Sequence, residues 1–253
     1  MSALQVLTDW SDDRGNSIRH GGTLEHGISV EFTGSGNRLV VADTVRLSGL
    51  SVSFNCDDGL VEIAESTGVP AFSANIRVGQ DATVRIGRNV SSTSRVGISA
   101  VEGTTITVGD DVMFASENQL RGDDGHPIFD VHSGKRVNPA RDITIGAHCW
   151  IGARAVLLGG TTLGPGSVVG MSALAKGRFP NNCVLAGIPA KVVRRDVAWE
   201  RPHLSLVKPY YKPDASTITR SAYWARTDAP DPRSTPRRLA SKVKGKLRYR
   251  IGS

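Results

Sequence analysis

The chain has 253 residues, of which 39% are apolar, 6% are aromatic and 28 are glycine. This composition favours one domain with an appendage, built from many turns and small or branched side chains, over a helical bundle. The net charge of +7 lies in residues 231–253, which contain eight Lys/Arg and one Asp, so the rest of the chain is neutral and a basic nucleic-acid-binding body is excluded.

No sign of export or of membrane insertion is present in the sequence. It lacks an apolar run of about 18 residues, and residues 1–14 lack the basic and then apolar pattern of a signal peptide. Cys56, Cys149 and Cys183 are widely spaced and form neither a CxxC pair nor a disulfide framework. We therefore expect a cytoplasmic protein, placed at the inner face of the membrane if its C-terminal tail binds lipid.

The N-terminal half contains short alternating strands and weak copies of a six-residue repeat. Residues 1–35 are predicted to form an N-terminal cap and the first strands, and residues 36–195 the repetitive domain. Similar units begin at Val78-Gly79, Ile86-Gly87 and Val108-Gly109. Residues 116–142 interrupt the domain with a polar, turn-rich loop, and long loops on rigid scaffolds are where functional groups tend to lie.

A regular six-residue repeat follows from Ile145 to Leu174. Every sixth position is aliphatic, and the position four later is small or Cys; these are Ile145, Ile151, Leu157, Leu163 and Val169, followed by Cys149, Ala155, Thr161, Ser167 and Ala173. Six residues make one flat strand and a turn, and three such units make a triangular coil with the aliphatic side chains stacked inside. Glycine after most of the aliphatic residues permits backbone geometry that other residues resist. The repeat predicts an all-β fold, a left-handed parallel β-helix with an inserted loop and a C-terminal extension.

The last part of the chain departs from the repeat. Residues 196–230 contain several aromatic residues and prolines and are predicted to lie extended on the body. In residues 231–253, apolar residues recur every four positions among Lys and Arg, at Leu239, Val243, Leu247 and Ile251. This pattern is typical of a basic amphipathic helix on a membrane surface. A disordered tail is the alternative, because Gly245 weakens the helix.

The loop and the regular repeat resemble the hexapeptide-repeat acyltransferases, above all the bacterial sugar and capsular polysaccharide O-acetyltransferases. The first motif is Asp-Asp-Gly-His-Pro-Ile-Phe-Asp at 123–130, followed by Ser133-Gly134 and Asn138; the second is Ala-Gly-Ile-Pro-Ala-Lys at 186–191. The resemblance covers about residues 75–195. It implies acyl transfer from acyl-CoA, in the first place acetyl-CoA, to a carbohydrate hydroxyl by direct attack on the thioester. It also implies a homotrimer with its active site between two protomers.

His126 is the candidate general base, because histidines titrate near working pH and the resembling enzymes use the histidine of this motif. Asp124 or Asp130 could orient its ring, and a turn cap is the alternative for each. Trp150 precedes the inward Ile151 and should point out of a prism face, where it could stack on a ligand or donate its indole N–H. The matching Trp of the polysialic acid enzymes lies in the active site, and a subunit contact is the alternative.

The coenzyme is expected in a groove that runs along the solenoid between two subunits. Backbone groups near Gly152, Ala153 and Ala173 could bond the pantetheine amides. Three cations near the end of the repeat could meet the phosphates, with ordinary surface charge as the alternative: Lys176, Lys191 and Arg194.

Two further histidines, His132 and His148, are predicted to be solvated on the outside. Their spacing does not reproduce that of the zinc carbonic anhydrases of related fold, so no metal is expected. Two other functions stay open: an N-acyltransferase acting on an amino sugar or nucleotide sugar, and a non-catalytic solenoid. The intact loop around His126 argues against the second of these.

Overall fold

A computed structural model of the chain describes residues 8–21 and 23–228. Its strands stack in three sheets, A, B and C. Sheet A consists of β3 (Thr23–Phe32), β5 (Arg46–Phe54), β7 (Phe72–Val78), β10 (Val96–Ala100), β13 (Gln119–Arg121), β16 (Val156–Leu158) and β19 (Leu174–Ala175). Sheet B consists of β1 (Trp10–Ser11), β2 (Ser17–His20), β4 (Arg38–Val41), β6 (Leu60–Ile63), β8 (Thr83–Ile86), β11 (Thr105–Val108), β14 (Ile143–Ile145), β17 (Thr162–Leu163) and β20 (Arg178–Phe179). Sheet C consists of β9 (Ser91–Ser92), β12 (Met113–Phe114), β15 (Trp150–Ile151), β18 (Val168–Val169), β21 (Cys183–Ala186) and β22 (Lys191–Arg195).

Nearly all neighbouring strands within each sheet are parallel, so the chain forms a parallel β-solenoid, which confirms the predicted fold class. Only the two ends differ, because β1 pairs antiparallel with β2, and β22 pairs antiparallel with β21. In the second half each coil passes from sheet B to sheet C and then to sheet A. The edge between sheets A and B therefore lies opposite the face of sheet C.

The coils are longer in the first half of the solenoid than in the second. In sheet B, Leu39 stacks on Val61 and Val61 on Val84, whereas Ile145 stacks on Leu163 only 18 positions further along. Three six-residue units amount to one 18-residue coil. The hexapeptide phase is therefore visible in the sequence only where coils have this length, which explains why the upstream copies look weak.

The predicted interior positions of the regular repeat are confirmed. All five aliphatic positions from Ile145 to Val169 are at most 1% exposed, and so are all five small positions from Cys149 to Ala173. Burying an aliphatic side chain of this size stabilises a fold by roughly 1.5–3 kcal/mol. At the N-terminal end the core changes to stacked aromatic rings, with Phe32 and Phe54 parallel at 5.0 Å.

The glycines that directly follow the aliphatic residues of the repeat are required for a different reason from the one predicted. A Cβ on Gly152 would lie 2.6 Å from the carbonyl oxygen of Val169 in the next coil, so only glycine allows the coils to approach this closely. The left-handed backbone conformation falls two positions after the glycine instead, at His148, Arg154 and Ser172, with φ of 52°, 58° and 57°.

The structure sets two of the predicted boundaries differently. The inserted loop starts at residue 122 rather than 116, because β13 still contributes the buried Leu120 to sheet A. Strands β2 and β3 already stack on the solenoid within the predicted N-terminal cap. Residues 196–228 contact the body, where the indole N–H of Trp199 donates to the carbonyl oxygen of His148, whereas the basic tail predicted at 231–253 lies outside the described residues. Within the described ranges there is no helix long and apolar enough to span a membrane.

Candidate active site

The inserted loop, residues 122–142, leaves sheet A after β13 and enters sheet B at β14, so it projects from the edge between these two sheets. His126 is exposed on this loop, in a depression whose wall includes Cys56, Arg77, Glu102 and Arg136. Its ring makes no hydrogen bond to any other residue within the described ranges. The imidazole is therefore available to a substrate.

Asn138 fastens the loop around His126. Its side-chain amide donates to the carbonyl oxygen of His126 at 2.9 Å and to the carboxylate of Asp124 at 3.0 Å. Its amide oxygen accepts from the backbone N–H of Ile128 at 2.7 Å. The Asn138 side chain thus links the residues on either side of His126 to the part of the loop that leads back to β14.

For the acyl transfer that the family resemblance implies, we expect Asn138→Ala to lower kcat about tenfold, because misplacement of a catalytic group by a fraction of an ångström slows the chemical step. The midpoint of thermal unfolding should hardly change, since the lost hydrogen bonds are exposed. Ser133→Ala is the matched control: it removes a 2.8 Å hydrogen bond to Asp130 at the tip of the same loop. Steady-state kinetics showing an equal loss in both variants would contradict a specific role for Asn138.

The carboxylates predicted to orient His126 are directed elsewhere. Asp130 accepts hydrogen bonds from the backbone N–H groups of His132 and Ser133, at 3.2 and 2.8 Å, and so caps its own turn. Asp124 accepts from Asn138. The turn cap, which was the alternative for both, describes what Asp130 does in the structure.

The buried carboxylate beneath the loop is Asp123, which lies within reach of His126 in the sequence but which no pattern there distinguishes from Asp124 and Asp130. Only 3% of its side chain is exposed; it accepts from Ser99 Oγ at 2.5 Å, from the Arg77 guanidinium at 2.6 Å and from the backbone N–H of Gly125 at 2.9 Å. Gly125 is the residue before His126, so this network anchors the start of the motif around His126 to strands β7 and β10. The only feature of the sequence that could have pointed to this role of Asp123 is the pair of consecutive aspartates at 123 and 124.

Trp150 points outward from sheet C, as predicted, and 39% of its surface is exposed. Along that face it stands in register with Val168, Val168 with Val184, and Val184 with Arg194. With strands about 4.8 Å apart, this row measures about 14 Å from β15, which carries Trp150, to β22, which carries Arg194. The face therefore offers an apolar track that ends at a cation.

The three predicted phosphate-binding cations separate into two groups. Lys191 and Arg194 lie exposed on β22, at the end of sheet C. Lys176 lies beyond sheet A instead, in a depression that it shares with Arg121 and Arg141 under the loop. Only the first two are on the same face as Trp150.

The backbone groups predicted for pantetheine binding are partly used by the solenoid itself. The N–H of Gly152 donates to Val169 and its carbonyl accepts from Asn118, while the N–H of Ala173 donates to Gly170. The N–H of Ala153 makes no such bond within the described residues, and its carbonyl accepts from Ser172. Of these three residues, Ala153 thus has the N–H that a ligand can still use.

The prediction that His148 is a solvated outward histidine is wrong. His148 is 2% exposed, because residues of the C-terminal segment cover it, and both of its ring nitrogens bond protein oxygens. His132 is exposed, as predicted. Residues 8–21 and 23–228 contain no group of three or more His, Cys, Asp or Glu arranged to hold a metal ion.

His126 and Trp150 of one chain do not share a pocket. His126 stands at the edge between sheets A and B, and Trp150 stands on the face of sheet C, which lies opposite that edge. A site that uses both residues therefore needs two copies of the chain.

Comparisons with known proteins agree with this fold. Residues 142–174 match the family described as bacterial transferase hexapeptide (six repeats). The polysialic acid O-acetyltransferase of Escherichia coli O1:K1 / APEC is 38% identical over 96 residues, which cover 38% of this chain and 31% of that protein. The galactoside O-acetyltransferase of Escherichia coli (strain K12) is 36% identical over 114 residues, covering 44% and 53%. The chain thus spans about a third and about half of these two relatives.

Solved structures extend the similarity beyond the repeat. The crystal structure of the polySia specific acetyltransferase NeuO superposes with a TM-score of 0.69 at 33% identity, over 74% of this chain and 79% of that chain. The polysialic acid O-acetyltransferase OatWY superposes with a TM-score of 0.51 at 25% identity. The repeat and the fold place the chain among the bacterial hexapeptide transferases. The chain belongs to the hexapeptide-repeat acetyltransferase family.

Proposed function

We propose that the protein transfers an acetyl group from acetyl-CoA to a hydroxyl of a carbohydrate. The observation that carries the proposal is His126, an exposed imidazole without a hydrogen-bond partner among the described residues, on a loop tied down by Asn138 and Asp123. The relatives named for O-acetyl transfer to polysialic acid and to galactosides support a carbohydrate acceptor.

In this reaction His126 acts as the general base. The acceptor hydroxyl oxygen attacks the thioester carbonyl carbon while an imidazole nitrogen takes the hydroxyl proton. The tetrahedral intermediate collapses as the carbon–sulfur bond breaks, and the imidazolium returns the proton to the coenzyme thiolate. The indole N–H of Trp150 has no hydrogen-bond partner within the described residues, and it can donate to the oxyanion or pack on the pantetheine arm.

Coenzyme A fits the outward face of sheet C. The apolar row from Trp150 over Val168 and Val184 suits the pantetheine arm, and Arg194 with Lys191 at its end suits phosphate. Because His126 of the same chain is on the opposite edge, the second wall of the site comes from a neighbouring protomer. The homotrimer implied by the family resemblance supplies such a neighbour in a closed ring.

Direct attack by the acceptor is favoured over an acyl-cysteine intermediate. Cys149 is inside the solenoid, where burial raises the pKa of its thiol to about 12, so it cannot act as a thiolate nucleophile. Cys56 is half-buried but lines the same depression as His126, which makes it the thiol to test.

The test is coenzyme A release from acetyl-CoA with a panel of neutral and acidic glycans and amino sugars. We expect an alkali-labile ester in the product and initial-rate patterns of a ternary complex, with Cys56→Ser retaining wild-type kcat and KM. An alkali-stable amide would establish the N-acyltransferase alternative. Loss of activity in Cys56→Ser together with ping-pong kinetics would overturn direct attack. If no acceptor stimulates release, the proposed function fails.

A further inference from the structure

Residues 196–228 turn back after β22 and bring a second tryptophan beside Trp150. Trp199 is 9% exposed, and its ring centroid lies 6.2 Å from that of Trp150 with the planes tilted by 44°. Its indole N–H donates to the carbonyl oxygen of His148 at 2.8 Å. The C-terminal segment therefore contacts the candidate active-site tryptophan from the edge between sheets B and C.

His148 holds this tryptophan in place. Its ring lies between Trp199 and Tyr223, stacked on both, with centroid distances of 4.4 and 4.6 Å. Nδ1 is 2.5 Å from a carboxylate oxygen of Asp111, and Nε2 is 2.9 Å from the carbonyl oxygen of Trp199. Both partners can only accept, so both ring nitrogens must donate, and the ring that satisfies this arrangement is the protonated imidazolium.

The charges around His148 favour that protonated form. Asp111 also accepts a hydrogen bond from Arg201 Nε at 2.6 Å. Arg201 in turn donates to Ser91 Oγ of the solenoid at 2.9 Å, so the guanidinium holds the carboxylate in its orientation. Other charged or titratable groups nearby include Arg88, Asp110, Cys149, Glu200 and Tyr223. Burial opposes a charge on His148, but the hydrogen bonds to Asp111 and to the Trp199 carbonyl outweigh it and raise the pKa of the imidazole.

Trp150 has no other aromatic neighbour among the described residues. Along sheet C its outward neighbours are Met113 and Val168, whose flexible or small side chains leave the indole free to turn. Trp199, whose ring is held by its stacking on His148, is the rigid side chain beside the indole of Trp150. We propose that Trp199, held by protonated His148, is a positioning residue that fixes the indole of Trp150 for acyl transfer. This inference rests on the proposed function.

The pH dependence follows from the direction of the His148 shift. A raised pKa in the folded protein means that the contribution of His148 is complete below the ordinary histidine range and is lost as pH rises through the raised value. We therefore expect kcat of the wild type to fall on the alkaline side, and the circular dichroism of the coupled Trp150–Trp199 pair to weaken over the same pH interval.

The experiment compares His148→Gln and Trp199→Phe with wild type, as full-length chains, by kcat against pH and by near-ultraviolet circular dichroism. Both variants should lose about tenfold in kcat at neutral pH, as expected for a slightly misplaced group, and His148→Gln should lack the alkaline fall. Trp224→Phe is the control: it removes a 2.6 Å indole bond to Glu200 in the same segment, away from Trp150, and should keep wild-type kcat.

The outcomes separate this inference from the proposed function. Wild-type kcat in both variants, despite a changed dichroism spectrum, would overturn the positioning role and leave acetyl transfer intact. An equal loss of kcat in Trp224→Phe would mean that the C-terminal segment only supports the fold in general, and this would also overturn the positioning role of Trp199. No acetyl transfer by the wild type at any pH would remove the proposed function and this inference with it, whatever the spectrum shows.

Discussion

Replacement of His126 by alanine is expected to lower kcat for acetyl transfer by about 10²–10⁴-fold, the usual contribution of a positioned general base. The proton of the acceptor hydroxyl then has no acceptor on the enzyme in the transition state. KM for acetyl-CoA should stay near its wild-type value, because a base acts on the transition state and leaves coenzyme binding in the ground state unchanged. The measurement is coenzyme A release under saturating acetyl-CoA, with an acceptor that the wild type uses.

His132→Ala provides the matched control for this variant. His132 is exposed on the same loop, six positions further on, and among residues 8–21 and 23–228 it makes a hydrogen bond only through its backbone N–H, at 3.2 Å to Asp130. It should keep wild-type kcat. Equal turnover by His126→Ala and the wild type would refute the base assignment, and an equal loss in both variants would shift the cause to the loop as a whole.

The repeat could be predicted from sequence because its causes are local. From Ile145 to Leu174 a fixed spacing of six determines which side chain points inward, and the interior is built from those side chains. The motif around His126 could also be recognised in the sequence, and it carries the proposed role of the loop. Coils of 22 or 23 residues, such as those joining Leu39, Val61 and Val84, have no fixed hexapeptide phase and so could not be delimited from sequence.

The network around the loop depends on contacts between distant parts of the chain, which no local pattern encodes. Asp123 rather than Asp124 or Asp130 becomes the buried anchor because Arg77 and Ser99, on β7 and β10, lie beneath it. The separation of His126 from Trp150 depends likewise on which sheet each strand joins.

His148 is the strongest case of such long-range control. It occupies the left-handed corner position of its coil, a place that is exposed at Arg154 and Ser172, and here Trp199 and Tyr223 cover it so that it is buried. The sequence predicts that the C-terminal segment lies on the body but does not indicate which side it covers. That side adjoins Trp150, so the segment lies where it can affect the candidate site.

Two inactive variants should restore each other's activity if the site lies between protomers. His126→Ala and Trp150→Ala, each inactive or nearly so alone, should regain activity when co-expressed, because some interfaces then combine an intact His126 from one chain with an intact Trp150 from its neighbour. With random assembly in a closed ring, about a quarter of the interfaces are intact, so about a quarter of wild-type activity is expected.

The control for this complementation replaces one partner by the double variant His126→Ala, Trp150→Ala. Mixed with His126→Ala it contributes no intact histidine, so no interface can be complete and activity should stay at the background level. Recovery in the first mixture but not in the second places the two residues on different chains of one site. If the first mixture shows only the mean of the two separate activities, the shared site is refuted. In that case either both residues act within one chain or Trp150 has no part in catalysis. The first of these disagrees with the opposite positions of the A–B edge and sheet C.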